Sequence, residues 1–265
     1  MIIDFHTHIF PEKIAEKTLN HLSSLCGCKP FANGTAFGLE DKIQESGIDL
    51  AIALPVITNP MQFDSVNTFA KAINDKNGKI LSFGGIHPEC DNIKEKLKFL
   101  KEQGFKGVKI HPQYQNTYID TKGYFDVLSC AKEFDLIVVV HSGVDDGFKN
   151  DKVLCDINGV LSLQEKVNHP KFVLAHYGAN KTWQDVLKYL CGKNFYFDTS
   201  YAMQDIDKDL FLDILNKHGA DKILFATDSP WRDIKSEVNL IKSYINDKEI
   251  LDKILYKNAK KLLNI

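Results

Sequence analysis

The chain lacks the features that would place it in a membrane or on nucleic acid. No run reaches the roughly 18 apolar residues that a membrane span needs, and the longest apolar stretches, such as residues 136–140, have the length of a strand. The 33 basic and 35 acidic residues give a formal net charge of -2, which provides no electrostatic attraction to nucleic acid or to an anionic bilayer. No signal-peptide pattern precedes "MIIDFH", so we expect a cytoplasmic protein.

Arginine is rare in the chain, and its cysteines show no disulfide framework. Arg232 is the only arginine, and the other basic residues are scattered lysines. Six cysteines without a framework pattern are typical of reduced thiols in a cytosol. Cys26 and Cys28 form a "CGC" that would suit a redox or soft-metal pair. We expect two free thiols in a loop instead, because no other Cys or His cluster flanks them.

Linkers rich in proline or serine, low-complexity tracts and repeats are absent as well, so residues 1–265 are expected to form one domain.

The chain contains a series of short apolar runs with helical, charged segments between them. Eight runs read as strands: "IIDFH", "LAIALPV", "ILSFGGI", "GVKI", "LIVVV", "FVLAH", "FYFDTS" and "ILFATD". Between the first two lies "CGCKPFANGTAFG", a loop-like stretch placed to cover a site.

Alternating strands and helices indicate parallel pairing, with crossover helices covering the sheet. Runs without polar alternation, such as residues 136–140, suit strands that are buried on both faces. Eight units predict an α/β protein of the (β/α)8 TIM-barrel class, ending in an amphipathic helix at "EILDKILYKNAKKLLNI". An open doubly wound sheet is the alternative, and the lack of a Gly-rich phosphate loop after an early strand weakens it.

Polar residues gather where the predicted strands end, which is where barrel enzymes carry their chemistry. Six of the nine histidines stand at such ends. The full set of strand-end candidates is His6, His8, His87, Lys109, His111, His141, His176 and Asp228. A buried, hydrogen-bonded core histidine is the usual explanation for one of these positions, but it would have to apply many times here.

His6 and His8 predict a metal site. Residues i and i+2 of a strand point to the same face, so both imidazoles project into the mouth of the barrel. Two neutral imidazoles that share a cation explain this pairing better than two separate structural roles do. His141 and Asp228, from the fifth and eighth strands, would complete the ligand set.

With these residues in place, the chain resembles the amidohydrolase superfamily, and within it the amidohydrolase-related branch that includes aminocarboxymuconate-semialdehyde decarboxylase. The motifs that carry the resemblance are "IIDFHTHIFP", "GGIHPE", "GVKIHP", "VVVHSG", "VLAHYG", "ILFATDSPW" and "KNAKKLL". The resemblance implies a barrel with a divalent metal, often zinc, held by His6, His8 and His141. It also implies that His176 activates water or polarises substrate, and that Asp228 is a ligand that shuttles protons.

Two chemical classes remain open. The first hypothesis is a metal-dependent hydrolase of a small amide, ester or lactone, in which the ion lowers the pKa of a bound water toward about 7. The alternative is a non-oxidative decarboxylase or hydratase, a lyase that acts on a small unsaturated or aromatic acid. Decarboxylases of the branch often use an arginine near the second strand, but that strand here ends in "ALPVITNP". A third reading is a catalytically silent barrel that binds metal or a ligand.

The remaining candidates each have two readings. His87 and His111 either contact substrate or cap a strand, and Arg232 either binds a substrate carboxylate or is solvated. Lys109 is either carboxylated between two metals, as the resemblance to binuclear relatives implies, or a structural lysine paired with Asp4. We expect one metal per chain, zinc before manganese, iron or cobalt. A small-molecule substrate and a possible homo-oligomer are the only partners expected, and His21, His169 and His218 are assigned no chemistry.

Overall fold

The structure, a computed structural model, describes residues 1–76, 78–148 and 151–265. Short strands alternate with helices throughout these ranges. The strands are β1 (Ile3–Thr7), β2 (Leu50–Ala53), β3 (Ile80–Ser82), β4 (Gly84–Gly85), β5 (Gly107–Ile110), β6 (Ile137–Val140), β7 (Phe172–Leu174), β8 (Tyr196–Asp198) and β9 (Ile223–Leu224). The helices are α1 (Glu12–Cys26), α2 (Ala36–Ser46), α3 (Phe63–Asp75), α4 (Ile93–Glu102), α5 (Lys122–Glu133), α6 (Ile157–Val167), α7 (Trp183–Asp185), α8 (Lys208–His218), α9 (Ile234–Tyr244), α10 (Lys248–Asp252) and α11 (Asn258–Leu263). π-Helical turns at Val186–Leu190 and Lys253–Lys257 follow α7 and α10.

The strands form a closed parallel barrel. One sheet has the order β1-β2-β3 and the other runs from β4 to β9 in chain order. β3 and β4 are two halves of one barrel strand that is interrupted at Phe83, whose N–H still donates to Ala53 O over 2.9 Å. The last strand returns to the first, because Phe5 N–H donates to Phe225 O over 2.9 Å and Thr7 forms a parallel bridge with Ser229. The predicted eight-stranded (β/α)8 barrel is therefore confirmed.

The core has two layers, as the non-alternating strands predict. Ile137 and Val139 of β6 belong to a cluster with Phe5 and Phe83 of other strands, inside the barrel. Val138 and its neighbours on the opposite face join a larger cluster that includes helix residues. All four residues of β6 are buried, so this strand contributes apolar area to both layers. No helix of the described residues is long and apolar enough to cross a bilayer.

The segment between β1 and β2 corrects one expectation. α1 ends at Cys26, and Gly27 takes a left-handed conformation with φ +70°. This turn brings the Cα atoms of Cys26 and Cys28 to 5.4 Å, and the two residues form a disulfide. The prediction of two free thiols is therefore wrong for this pair, whereas Cys90, Cys130, Cys155 and Cys191 are free.

The C-terminal helix is confirmed, with a local irregularity. α10, the π-helical turn and α11 follow one another without a break from Lys248 to Leu263. Ala259, Leu262 and Leu263 pack against the inner cluster of the barrel. The amphipathic pattern thus reports a helix that buries one face against the strands.

Candidate active site

His6, His8 and Asp228 meet at the carboxyl end of the barrel. The bridge between Thr7 and Ser229 aligns the end of β1 with the loop after β9. His6 Nε2 lies 3.2 Å from His8 Nε2, and Asp228 Oδ1 lies 3.2 Å from the first and 3.1 Å from the second of these atoms. The period-two prediction for His6 and His8 agrees with this convergence, and these three residues form one group of potential metal ligands.

Hydrogen bonds to the far side of each ring decide which nitrogen faces this group. His6 Nδ1 donates to Asp198 Oδ2 over 2.9 Å, and His8 Nδ1 donates to Leu54 O over 2.9 Å. The Nε2 lone pairs of both rings therefore point toward each other and toward Asp228. Metal-binding histidines are held in this way, with the second nitrogen donating to a carboxylate or a carbonyl.

The donor set fits a divalent cation. Burial and the Lys109 ammonium hold the pKa of His6 well below its usual range, so the imidazole is neutral. Ligand atoms that bind one ion at roughly 2.1 Å lie roughly 3–3.5 Å apart, as the three atoms do here. Two lone pairs and a carboxylate that face one another are stabilised when a cation joins them.

His176 and His141 continue the polar surface from β7 and β6. His176 Nδ1 donates to Ser200 O over 3.0 Å, and its Nε2 lies 2.8 Å from His141 Nδ1. The His6 and His176 rings are 5.4 Å apart between centroids, so these histidines line the same space. His176 itself has a left-handed φ of +61°, and its carbonyl accepts a hydrogen bond from Trp183 Nε1 over 3.0 Å.

His141 also belongs to a second polar group, with His111 and Asp145. Asp145 Oδ2 lies 3.5 Å from His111 Nε2 and 3.7 Å from His141 Nε2. The His111 and His141 rings stack with centroids 4.1 Å apart. His141 Nε2 is buried without a hydrogen-bond partner among the described residues. The ligand role of His141 stays a prediction, since this ring contacts the second group and His176.

Lys109 reaches the first group rather than the structural partner considered for it. Its Nζ lies 3.2 Å from His6 Nε2, while Asp4 accepts hydrogen bonds from Thr227 Oγ1 over 2.6 Å and Thr227 N over 3.0 Å. Burial lowers the pKa of Lys109 to about 8, against the opposing effect of nearby carboxylates such as Asp198. The lysine is thus a buried cation at the edge of the candidate metal site.

Of the four candidate substrate-binding residues, two line the cavity and two do not. His111 and Lys109 line the cavity, but neither His87 nor Arg232 is among the described residues that do so. His87 Nδ1 accepts a hydrogen bond from Glu89 N over 3.2 Å. Arg232 Nη2 donates to Asp205 Oδ2 over 2.7 Å, and its guanidinium stacks on the Tyr201 ring. These contacts are those of a strand-end cap and a surface ion pair.

Sequence reasoning missed several residues of the site. Asp198 ends β8, the seventh predicted strand, so the rule that selected the other strand ends would also have selected it. Asp145 lies in the loop after β6, where no periodic pattern applies. His21, to which no chemistry was assigned, lines the cavity from α1.

A cavity of about 690 Å³ leads from solvent to this polar floor. Its walls are mainly apolar and aromatic. The apolar lining residues are Ile9, Phe10, Pro11, Ile14, Leu22, Leu54, Pro55, Val56, Val66, Phe69, Tyr114, Tyr201 and Trp231, and the Cys26–Cys28 disulfide also borders it. A deep, mostly apolar cavity with polar groups converging at one end is typical of a small-molecule site.

The family model of the amidohydrolases matches residues 3–265, so the chain belongs to that family. This confirms the resemblance. A search of curated proteins finds no match.

Solved structures share the fold at low sequence identity. The 2,6-dihydroxybenzoate decarboxylase from Rhizobium aligns with a TM-score of 0.71 and 16% identity, covering 99% of this chain and 98% of that chain. The 5-carboxyvanillate decarboxylase from Sphingomonas paucimobilis gives 0.72 and 13%, covering 100% and 99%. The dihydroxybenzoic acid decarboxylase from Polaromonas sp. JS666, with bound manganese and the inhibitor 2-nitroresorcinol, gives 0.72 and 16%, covering 99% and 96%. Likeness at this level shows the fold.

Proposed function

We propose that the protein is a metal-dependent lyase that decarboxylates a small aromatic or unsaturated carboxylic acid without oxidation. The observation that carries the proposal is the position of His6, His8 and Asp228, three converging ligands at the floor of a cavity with apolar and aromatic walls. Such walls accept the faces of a planar ring, while the floor accepts its polar substituents.

The proposed ligands of the ion are His6, His8, Asp228 and His141. When bound, a divalent ion would hold the oxygen atoms of the acid and stabilise negative charge that develops on them. Zinc and manganese both suit imidazole and carboxylate ligands, and a related fold binds manganese. Asp198 and Leu54 O fix the two strand-one imidazoles from behind, so the chain presents these ligand atoms without rearrangement.

Lys109 is the proposed partner of the substrate carboxylate. No arginine stands near the second strand, and the single arginine of the chain pairs with Asp205. The Lys109 ammonium is buried beside His6 and lines the cavity, so it can offset the charge of an acid that reaches the floor. A buried ammonium interacts with an anion more strongly than an exposed one, because little water screens the pair.

His176 and Asp228 are the proposed proton carriers. Decarboxylation breaks the bond between the ring carbon and the carboxylate and releases CO₂. The electron pair stays on the ring carbon, which takes a proton from the protonated His176 or Asp228 to form a C–H bond. The His176 ring donates through Nδ1 to Ser200 O, so its Nε2 carries the lone pair. His141 Nδ1 contacts this atom over 2.8 Å, and a substrate hydroxyl group takes over that contact when it passes its proton to Nε2. Burial lowers the pKa of His176, which keeps this atom unprotonated near neutral pH.

Hydrolysis is the second candidate, although it was the first hypothesis from the sequence. The three related structures above are named as decarboxylases, which favours the lyase. One observation favours the hydrolase: no arginine is among the described residues that line the cavity, as an uncharged lactone or ester would allow.

A substrate panel tests the choice. Wild-type protein loaded with Mn²⁺ or Zn²⁺ is given hydroxybenzoates, carboxyvanillate, lactones and esters, and both CO₂ and acid release are recorded. We expect CO₂ from at least one aromatic acid, and a loss of about 10²–10⁴-fold in His176→Gln. His169→Gln, a buried histidine outside the cavity lining, is the control and should keep the activity. Acid release from a lactone or ester, with no CO₂ from any acid, would overturn the proposal in favour of the hydrolase.

A further inference from the structure

Residues of α1 and α3 line the cavity in addition to its polar floor. We propose that this part of the cavity, called the groove below, binds a straight apolar chain attached to the ring of the substrate. The inference rests on the proposed function, because it assigns the substrate class of that same site. The groove is defined here by seven lining residues of the two helices: Ile14, Thr18, His21 and Leu22 on α1, and Ser65, Val66 and Phe69 on α3.

One face of α1 forms the first wall. Thr18 follows Ile14 by four residues, and His21 and Leu22 follow Thr18 by three and four, so the four residues share a stripe along the helix. The core-facing stripe is a different one, since Ala15 and Leu19 are the buried residues of α1. The helix therefore uses one face for stability and turns a second toward the cavity.

α3 also contributes one face to the cavity wall. Phe69 follows Val66 by three residues and Ser65 by four, so the three residues lie on the side of α3 that borders the cavity. Phe63, Asn67, Ala70 and Ile73 are the buried residues that attach this helix to the barrel.

Four of the seven groove residues are apolar, and the polar ones, Thr18, His21 and Ser65, include no acidic residue and no lysine or arginine. No Lys, Arg, Asp or Glu of α1 or α3 is among the cavity-lining residues that the structure describes. Gln62, which precedes α3 and also lines the cavity, uses Oε1 to accept from Thr58 N over 2.9 Å and Asn59 N over 3.2 Å. Ile14 is still 48% exposed, so it gains contact area when an apolar group covers it.

The size of the cavity points to the same occupant. A volume of about 690 Å³ lies inside the range of roughly 300–1,000 Å³ that holds ligands of drug size. A single-ring acid bound at the polar floor occupies only part of this space. The two helix stripes line the same cavity as the polar floor, so the proposed occupant of the remaining volume is a substituent of the substrate itself.

The test is a homologous series of acids. 2,6-Dihydroxybenzoate and its 4-methyl, 4-propyl and 4-pentyl derivatives are titrated into Mn²⁺-loaded protein by calorimetry, and CO₂ release is measured separately. Each methylene that enters the groove should raise the affinity about fourfold until the groove is full. Ile14→Asp and Val66→Asp, which place a charge in the groove, should each flatten this dependence on chain length.

Phe99→Asp is the matched control. Phe99 lies on α4, is 48% exposed like Ile14, and is not among the described residues that line the cavity. This variant should keep the wild-type dependence on chain length. The comparison separates a charge in the groove from a charge placed anywhere on the surface.

The outcomes distinguish this inference from the proposed function. Affinity that rises with chain length and falls in the two groove variants supports the groove, whether or not CO₂ is released. CO₂ release with no gain from longer chains overturns the groove and leaves the lyase in place. A gain that persists in both Ile14→Asp and Val66→Asp also overturns it, because the chain would then bind elsewhere.

Discussion

Asp198 sets the orientation of His6, although it is not one of the proposed ligands. Its Oδ2 accepts the hydrogen bond from His6 Nδ1. Its Oδ1 accepts from His176 N over 3.1 Å and from Ser200 N over 3.1 Å. One buried carboxylate thus connects the ends of β1, β7 and β8. Because it accepts the hydrogen bond from Nδ1, it favours the His6 tautomer whose Nε2 lone pair faces the metal site.

Asp198→Asn tests this role. The amide can donate as well as accept, so it no longer enforces one tautomer of His6. We expect metal affinity to fall about 10–100-fold, measured by competition with a chelating dye. Asp221→Asn removes an exposed carboxylate that pairs with Lys253 over 2.9 Å and should leave the affinity unchanged. Equal affinities in both variants would contradict the role of Asp198.

Glu237 gives the protein a pH dependence that is separate from the active site. The residue is fully buried on α9, and Gln204 Nε2 donates to its Oε1 over 2.6 Å. Burial raises the pKa of Glu237 to about 7 from 4.5, despite that hydrogen bond. The native state therefore keeps a proton that the unfolded chain loses between these values, and this contribution to stability disappears as pH rises through about 7.

Glu237→Gln should abolish this dependence. Between about pH 5 and about pH 8, the wild type should lose about 2–3 kcal/mol of unfolding free energy relative to the variant. Urea denaturation at the two pH values measures the change. Glu133→Gln, at an exposed residue that pairs with Lys94, is the control. A difference between wild type and Glu237→Gln that stays constant with pH would show that Glu237 is ionised in the native state throughout.

Among the elements, the third barrel strand depends on a helix side chain. β4 contains only Gly84 and Gly85, and Asn67 of α3 supplies bonds that a longer strand would make. Asn67 Oδ1 accepts from Gly85 N over 2.9 Å, and its Nδ2 donates to Gly85 O over 3.1 Å. A Cβ at Gly84 would lie 2.9 Å from Asn67 Oδ1, so the glycine permits this approach.

Asn67→Ala would leave the Gly85 backbone groups buried without this partner. Since an unsatisfied buried polar group costs about 1–3 kcal/mol, we expect a loss of about 2–3 kcal/mol in unfolding free energy. Thr68→Ala changes the next, exposed residue of α3 and should cost less than about 0.5 kcal/mol. Chemical denaturation of both variants measures the difference. Similar losses for the two substitutions would mean that Asn67 does not support the strand.

The elements that depend on local sequence could be predicted, whereas the features that depend on contacts with other elements could not. The barrel strands follow from short apolar runs such as residues 137–140, because burial on both faces leaves a direct signature in composition. The interruption of the third barrel strand at Phe83 does not follow from such a run, since it depends on Asn67 from another element. The Cys26–Cys28 disulfide depends on the turn at Gly27, which a count of cysteines does not reveal.

At the scale of the whole molecule, the barrel brings together residues that are far apart in sequence. His6 and Asp228 were predictable because parallel strands all end at one rim. Asp145 and His21 were not, because a loop path and a helix position decide whether they reach the cavity. Location in the cytoplasm and self-association stay predictions, as does zinc rather than manganese as the native ion.

Metal analysis of the folded protein tests the central claim most directly. Protein freed of metal, equilibrated with Zn²⁺ or Mn²⁺ and dialysed, should retain about one equivalent per chain, measured by elemental mass spectrometry. His6→Ala with His8→Ala should retain none while keeping the circular dichroism of the wild type, and His169→Gln should retain the full equivalent. A double variant that is folded and still holds one equivalent would contradict the account.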